Sequence, residues 1–134
     1  MGGIGATISV PDSFSGQHTV AEIRPGRVLM FDNGFERLSE RYSRAIEYEI
    51  AAGEARKVWE WRPARANWAR VISSARRLPN GNTLVAFGVR KDMPPGSTGP
   101  IEVYEVDGAG RILWHLALEG AVSSLYRATP LFSF

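Results

Sequence analysis

The chain has 134 residues, 44% of them hydrophobic and 22% charged, which fits one globular domain and argues against a disordered chain. Cysteine is absent, which excludes disulfides and thiolate metal sites, and no apolar run reaches the roughly 20 residues of a membrane span. The net charge of +2 rests on fourteen arginines and two lysines, and five of the arginines lie between Arg62 and Arg77 with no acid among them. Such a cluster attracts phosphate or sulfate oxyanions through two-point guanidinium contacts. The aromatics do not interleave with it, so no nucleic-acid partner is expected.

At the N-terminus, MGGIGATISV has neither a basic region nor a long apolar core and is not read as a signal peptide. Gly2-Gly3-Ile4-Gly5 lacks the preceding strand and third glycine of a dinucleotide loop. Residues 1–13 are a lead-in. Four alternating runs follow in order: HTVAEI from His18, RVLMFDN from Arg27, SRAIEYEI from Ser43 and RKVWEWR from Arg56. Four more are SARRL from Ser74, NTLVAFG from Asn82, IEVYEVD from Ile101 and RILWHLAL from Arg111. The two sets predict one unit over 14–63 and another over 64–120, with a partial third over 121–134.

The sets align with each other. Gly26 matches Gly81 at an offset of 55, Tyr48-Glu49-Ile50 matches Tyr104-Glu105-Val106, and Trp59 matches Trp114. Ser73 to Arg77 matches Ser123 to Arg127 in the same way. Four strands per repeat of this length is the pattern of a propeller blade. The predicted fold is all-β: two four-stranded antiparallel blades plus a C-terminal strand, a partial β-propeller. A sandwich of hairpins explains the strands but not the shared register of Gly, Tyr and Trp. Two blades leave strand edges unpaired. The chain is therefore expected to be the tail of a larger propeller, or else to self-associate.

Tight turns (RPGR, AAGEA, PNGN, DGAG) alternate with long connections over 34–42, 63–72 and 88–100. In an up-and-down blade this puts all the long loops on one face, where binding usually sits. His18 opens the innermost strand on that face. Asn33 ends the second strand there, and Arg44 begins the third. Ser73 and Ser123 occupy the place of His18 in the following units. This polar ring at a channel mouth is a candidate small-molecule site, with Asn33, Arg44 and Ser73 as substrate-binding candidates.

Other motifs read as scaffold. Glu47 and Glu49 form a carboxylate pair of the kind glycosidases use, but in a third strand they read as a solvated face. Trp59 and Trp61 flank Glu60 and are expected to pack between blades. Asp32 and Arg44 are spaced to form a bracing ion pair. His115, in an outermost strand, reads as structural, and no metal-ligand cluster is present.

Taken in order, QHTV (17–20), FDNG (31–34), YSRAIEYEI (42–50), VWEW (58–61) and RLPNGNTLV (77–85) resemble the C-terminal region of bacterial arylsulfate sulfotransferases. The resemblance covers the chain from about Phe14 onward. It implies a six-bladed propeller, periplasmic or otherwise exported, that moves a sulfuryl group from a phenolic sulfate ester to a phenol. No cofactor is implied. His18 matches the family's nucleophile, which carries the group as sulfohistidine. The family's remaining histidines and its arginine belong to earlier blades, so a chain of this length is expected to have an incomplete site and little activity alone. The alternative is a non-catalytic propeller module for binding or assembly.

Overall fold

The computed structural model describes residues 7–131 apart from 11, 13, 38, 66, 89–100 and 119–123. Among the described residues eight strands form: β1 (His18–Arg24), β2 (Arg27–Asp32), β3 (Arg44–Ala51), β4 (Glu54–Trp61), β5 (Ser74–Arg77), β6 (Thr83–Phe87), β7 (Ile101–Val106) and β8 (Ile112–Leu118). Each falls on one of the predicted runs. They make two antiparallel sheets in sequential order, β1-β2-β3-β4 and β5-β6-β7-β8. The sheets do not close on each other, so the chain is two blades of a partial propeller. Among the described residues no helix is long and apolar enough to cross a membrane.

Local chemistry explains the hairpins. Arg24 pairs with Arg27, leaving Pro25-Gly26 as a two-residue turn in which Gly26 takes φ 72°. Ala51 pairs with Glu54 across Ala52-Gly53, where both φ values are positive (51° and 80°). Turns with positive φ at both central residues match the right-handed twist of the flanking strands.

The main core lies between the sheets. Leu29, Phe31 and Ala45 face Val85, Phe87 and Tyr104, all buried. Phe31 meets Phe87 edge-on at 5.2 Å, and Trp61 tilts onto Tyr104 at 5.1 Å. Burying each phenyl ring contributes roughly 2–3 kcal/mol. Trp61 donates its indole N–H to Gly110 O (3.0 Å), while Trp59 packs against the same core beneath the Arg77 guanidinium. The tryptophan pair thus sits between blades, as its spacing predicts. Trp114 lies half exposed on β8. His115 stacks on Tyr104 at 4.3 Å, in keeping with a structural role.

Both ends of the described chain fold back onto the sheets. Ile8, Val10 and Phe14 cover Met30, Ile46 and Tyr48 on the outer face of the first sheet. Ser9 is tied there by Ser9 N to Gly53 O (3.1 Å) and Ala55 N to Ser9 O (2.9 Å). Leu125 and Ala128 cover Leu84, Ala86 and Val103 on the second sheet. Residues 124–131 are irregular, not a strand, and bond to the second unit at single points such as Leu125 N to Gly88 O (3.1 Å). Gly2 to Gly5 and Ser123 lie outside the described residues.

Glu47 departs from expectation. It is buried, not solvated, because Arg77 reaches across from β5 to its Oε2 (2.5 Å) while Arg27 holds its Oε1 (3.1 Å). Arg27 also binds Glu49 (3.0 Å). Arginine neutralises both carboxylates, and Glu47 joins the two blades through Arg77.

Candidate functional site

β1 and β5 are the first strands of their sheets, and β5 packs beside β1 and β2. His18 opens β1 where the chain leaves Gly16, itself at φ 65°. The next residue, Thr19, holds φ 51°, and the β1–β2 register slips between His18 and Ala21. A β-branched residue in the left-handed region is strained and needs over-determining contacts. Thr19 has one across the blades: its Oγ1 accepts the Ala75 N–H at 3.0 Å. His18 itself pairs with Phe31 at the start of the strand, just before this irregularity.

Asn33 governs the histidine. Its side chain is fully buried, and Nδ2 donates to Ala69 O (2.7 Å) and Ile72 O (2.9 Å) in the inter-blade connection. Those two carbonyls fix the amide orientation, which turns Oδ1 toward His18 Nδ1 at 2.8 Å. Gly16 O lies 2.9 Å from the same Nδ1. Both neighbours are acceptors, so in the neutral ring Nδ1 carries the hydrogen and donates it. Nε2 then keeps its lone pair. A half-buried imidazole with Nε2 unprotonated is a nucleophile or a base.

Ser43 locks the same junction. Its hydroxyl donates to Asn33 O (2.9 Å) and accepts from Ala69 N (2.9 Å). The loop after Asn33 needs Gly34 at φ 67°, since a β-carbon there would lie 2.4 Å from Tyr42 O.

Arg44 is buried among carboxylates. It is 2% exposed, with Nε on Asp32 Oδ2 (2.9 Å) and one terminal nitrogen on Asp12 (2.9 Å) and Glu60 (3.0 Å). The Asp32 pair expected from sequence is therefore present within a larger network that also takes in Arg37 and Lys57. Burial alone lowers the Arg44 pKa, but its bonds to Asp12 and Asp32 outweigh that and raise it. Burial raises the Asp12 carboxyl, and the stronger effect of Arg44 and Lys57 brings it down to about 2. Burial also pushes the Tyr48 hydroxyl up to about 12. That hydroxyl donates to Asp12 O (2.8 Å).

Ser73 sits at φ 87° with its hydroxyl buried, accepting the Gly88 N–H at 2.9 Å. It occupies the place equivalent to His18 at the start of β5, but it faces its own loop. At the next step, Ala128 N bonds Ser74 Oγ (3.2 Å), as Ala75 N bonds Thr19 Oγ1. This spacing of 53 residues places Tyr126 where Ser73 stands in the preceding unit.

The structure thus brings His18 and Asn33 together and leaves Arg44 and Ser73 in supporting contacts. Sequence reasoning missed Asp12, Ser43 and Thr19. The hydroxyl shared by Thr19 and Ser74 at an offset of 55 was the available signal for the last.

Fold and site together define a class: an open pair of propeller blades with an oriented histidine at an inner strand start. Residues 10–127 match the family Arylsulfotransferase (ASST), and the chain belongs to that family. Arylsulfotransferase-type function follows in general terms, with sulfate esters and phenols as the substrate classes. A comparison with curated proteins found no match.

Proposed function

We propose that His18 is the nucleophile of sulfuryl transfer from a phenolic sulfate ester to a phenol. The observation that supports this most is the double acceptor at Nδ1, Asn33 Oδ1 and Gly16 O, which leaves the Nε2 lone pair available. In the first step Nε2 attacks sulfur, the S–O(aryl) bond breaks, and the phenolate leaves and takes up a proton. The N–S bond holds the group as sulfohistidine. In the second step a phenol oxygen attacks the same sulfur, the N–S bond breaks, and the phenol proton is released. Such splitting gives ping-pong kinetics.

Asn33 serves as the orienter of the ring and Arg44 and Ser73 as braces of the rim. Charge on the transferring sulfate oxygens needs donors that these residues do not offer, since Arg44 is held by carboxylates. Blades supplied by other parts of a ring, or by further copies of the chain, complete the site, and the chain alone transfers little. The blades are taken as 14–63 and 64–120, and the compartment as periplasmic or exported. The engaged state of Arg44 is also what favours the rival reading, a propeller module that binds without chemistry.

The test is incubation of the completed assembly with an aryl sulfate, followed by mass spectrometry for a sulfate adduct on His18. The adduct, absent in His18→Ala, is the expected result. Normal turnover by the His18→Ala variant of an active assembly overturns the assignment.

A further inference from the structure

A groove of about 290 Å³ runs along β1 and β5, beginning at Thr19 beside His18. Its apolar wall includes Val20, Ala21, Ile23 and Leu29, and Arg76 and Arg127 also line it. Elsewhere the arginines are mostly engaged: Arg27, Arg37, Arg44, Arg77 and Arg111 each hold a carboxylate. Arg76 and Arg127 have no acidic partner among the described residues, and both are exposed. Arg127 has only the Tyr126 ring at 5.7 Å. Two uncompensated guanidinium groups beside an apolar wall fit a ligand with one aromatic face and one anionic end. Guanidinium binds sulfate oxygens in two-point fashion, and the groove volume, at the low end for ligand pockets, suits a single ring.

We propose that this groove is a holding subsite for an aromatic sulfate monoester, separate from the transfer position at His18. The ring lies on the Val20–Ile23 wall and the anion on Arg76 and Arg127. The ligand's identity rests on the sulfuryl-transfer reading; its recognition does not. Thr19, at one end of the groove, adjoins His18, and the Val20–Ile23 wall begins two residues from it, roughly 7 Å of strand rise along β1. Arg76 and Arg127 act as positioning residues, concentrating the donor beside the imidazole.

The experiment titrates the chain with benzenesulfonate, whose sulfur is bonded to carbon and cannot be transferred, and follows binding by calorimetry and backbone amide NMR. Saturable binding is expected, with shifts at Val20, Ala21 and Arg76. Arg76→Gln and Arg127→Gln each weaken it by about tenfold or more, as loss of a charged hydrogen-bond donor does. Arg111→Gln removes the same charge at a distant turn and leaves binding intact. Benzyl alcohol and inorganic sulfate, each carrying half of the ligand chemistry, bind more weakly than benzenesulfonate. No saturable binding, or equal affinity in Arg76→Gln and Arg127→Gln, overturns the proposal. So does equal loss in Arg111→Gln. Benzenesulfonate binding that survives in His18→Ala, with normal aryl sulfate turnover by the His18→Ala variant of an active assembly, supports the groove and overturns the transfer reading alone.

Discussion

Replacing Asn33 by alanine separates orientation of His18 from mere burial. The change removes three contacts at once: the acceptor at His18 Nδ1 and the two donors to Ala69 O and Ile72 O. Ala69 O keeps the Ser43 hydroxyl at 3.2 Å, and Ile72 is only half buried, so neither carbonyl is left bare in the interior. A net hydrogen bond is worth about 1 kcal/mol, so the three lost contacts amount to about 3 kcal/mol. For a chain of this size, each kcal/mol lowers Tm by roughly 3 °C, so the midpoint should fall by about 10 °C.

The tautomer is the readout that a structural role alone does not move. In the native chain His18 is expected as the Nδ1–H form, visible in the two ring-nitrogen shifts of a long-range ¹H–¹⁵N spectrum. Losing one acceptor worth about 1 kcal/mol changes the tautomer ratio by about fivefold toward Nε2–H. Asn33→Asp keeps an acceptor facing Nδ1 but loses the donors, so it should retain the tautomer while still losing stability. A native His18 found as Nε2–H, or a ratio unchanged in Asn33→Ala, refutes the reasoning.

Two further outcomes follow from the rim. Asp12 titrates at about 2 when folded, against 3.8 for the free carboxyl. A depressed carboxyl stabilises above its unfolded value and loses that contribution as pH falls through the folded one, so stability should drop between about pH 4 and pH 2. Asp12 is partly solvated, so the effect after screening is on the order of 1 kcal/mol; Asp12→Asn, followed by chemical denaturation, should abolish that step. Gly34→Ala forces a β-carbon within 2.4 Å of Tyr42 O at φ 67°, and a loss of about 2 kcal/mol or more is expected in the same assay.

The strands were legible because alternation and turn residues act locally. PNGN and RPGR end runs whose apolar sides pack as predicted, and Trp59 and Trp61 find the inter-blade space their spacing implies. His18 and Asn33 were legible as neighbours because both sit where a strand meets the long-loop face. The role of Asn33 was not, since its two donor partners, Ala69 O and Ile72 O, are backbone atoms in a connection with no regular pattern. Arg44 misled for a related reason. Asp32 lies within reach by strand pairing, but Asp12 comes from a lead-in whose docking depends on Ile8, Val10 and Phe14 covering the sheet. Glu47 was misplaced because its burial depends on Arg77, a residue of the other blade.

Those failures share a cause with the site itself. His18 is oriented by a side chain from its own sheet, Asn33, whose amide is fixed by carbonyls in the connection to the next blade. Thr19 is strained, and the contact that holds it, Ala75 N–H, comes from that next blade too. The imidazole's geometry therefore depends on the packing of two blades, not on one hairpin. A single blade with the same QHT segment would leave Thr19 free to relax to negative φ and Asn33 free to turn its amide. Two blades are then the smallest unit that can orient this histidine.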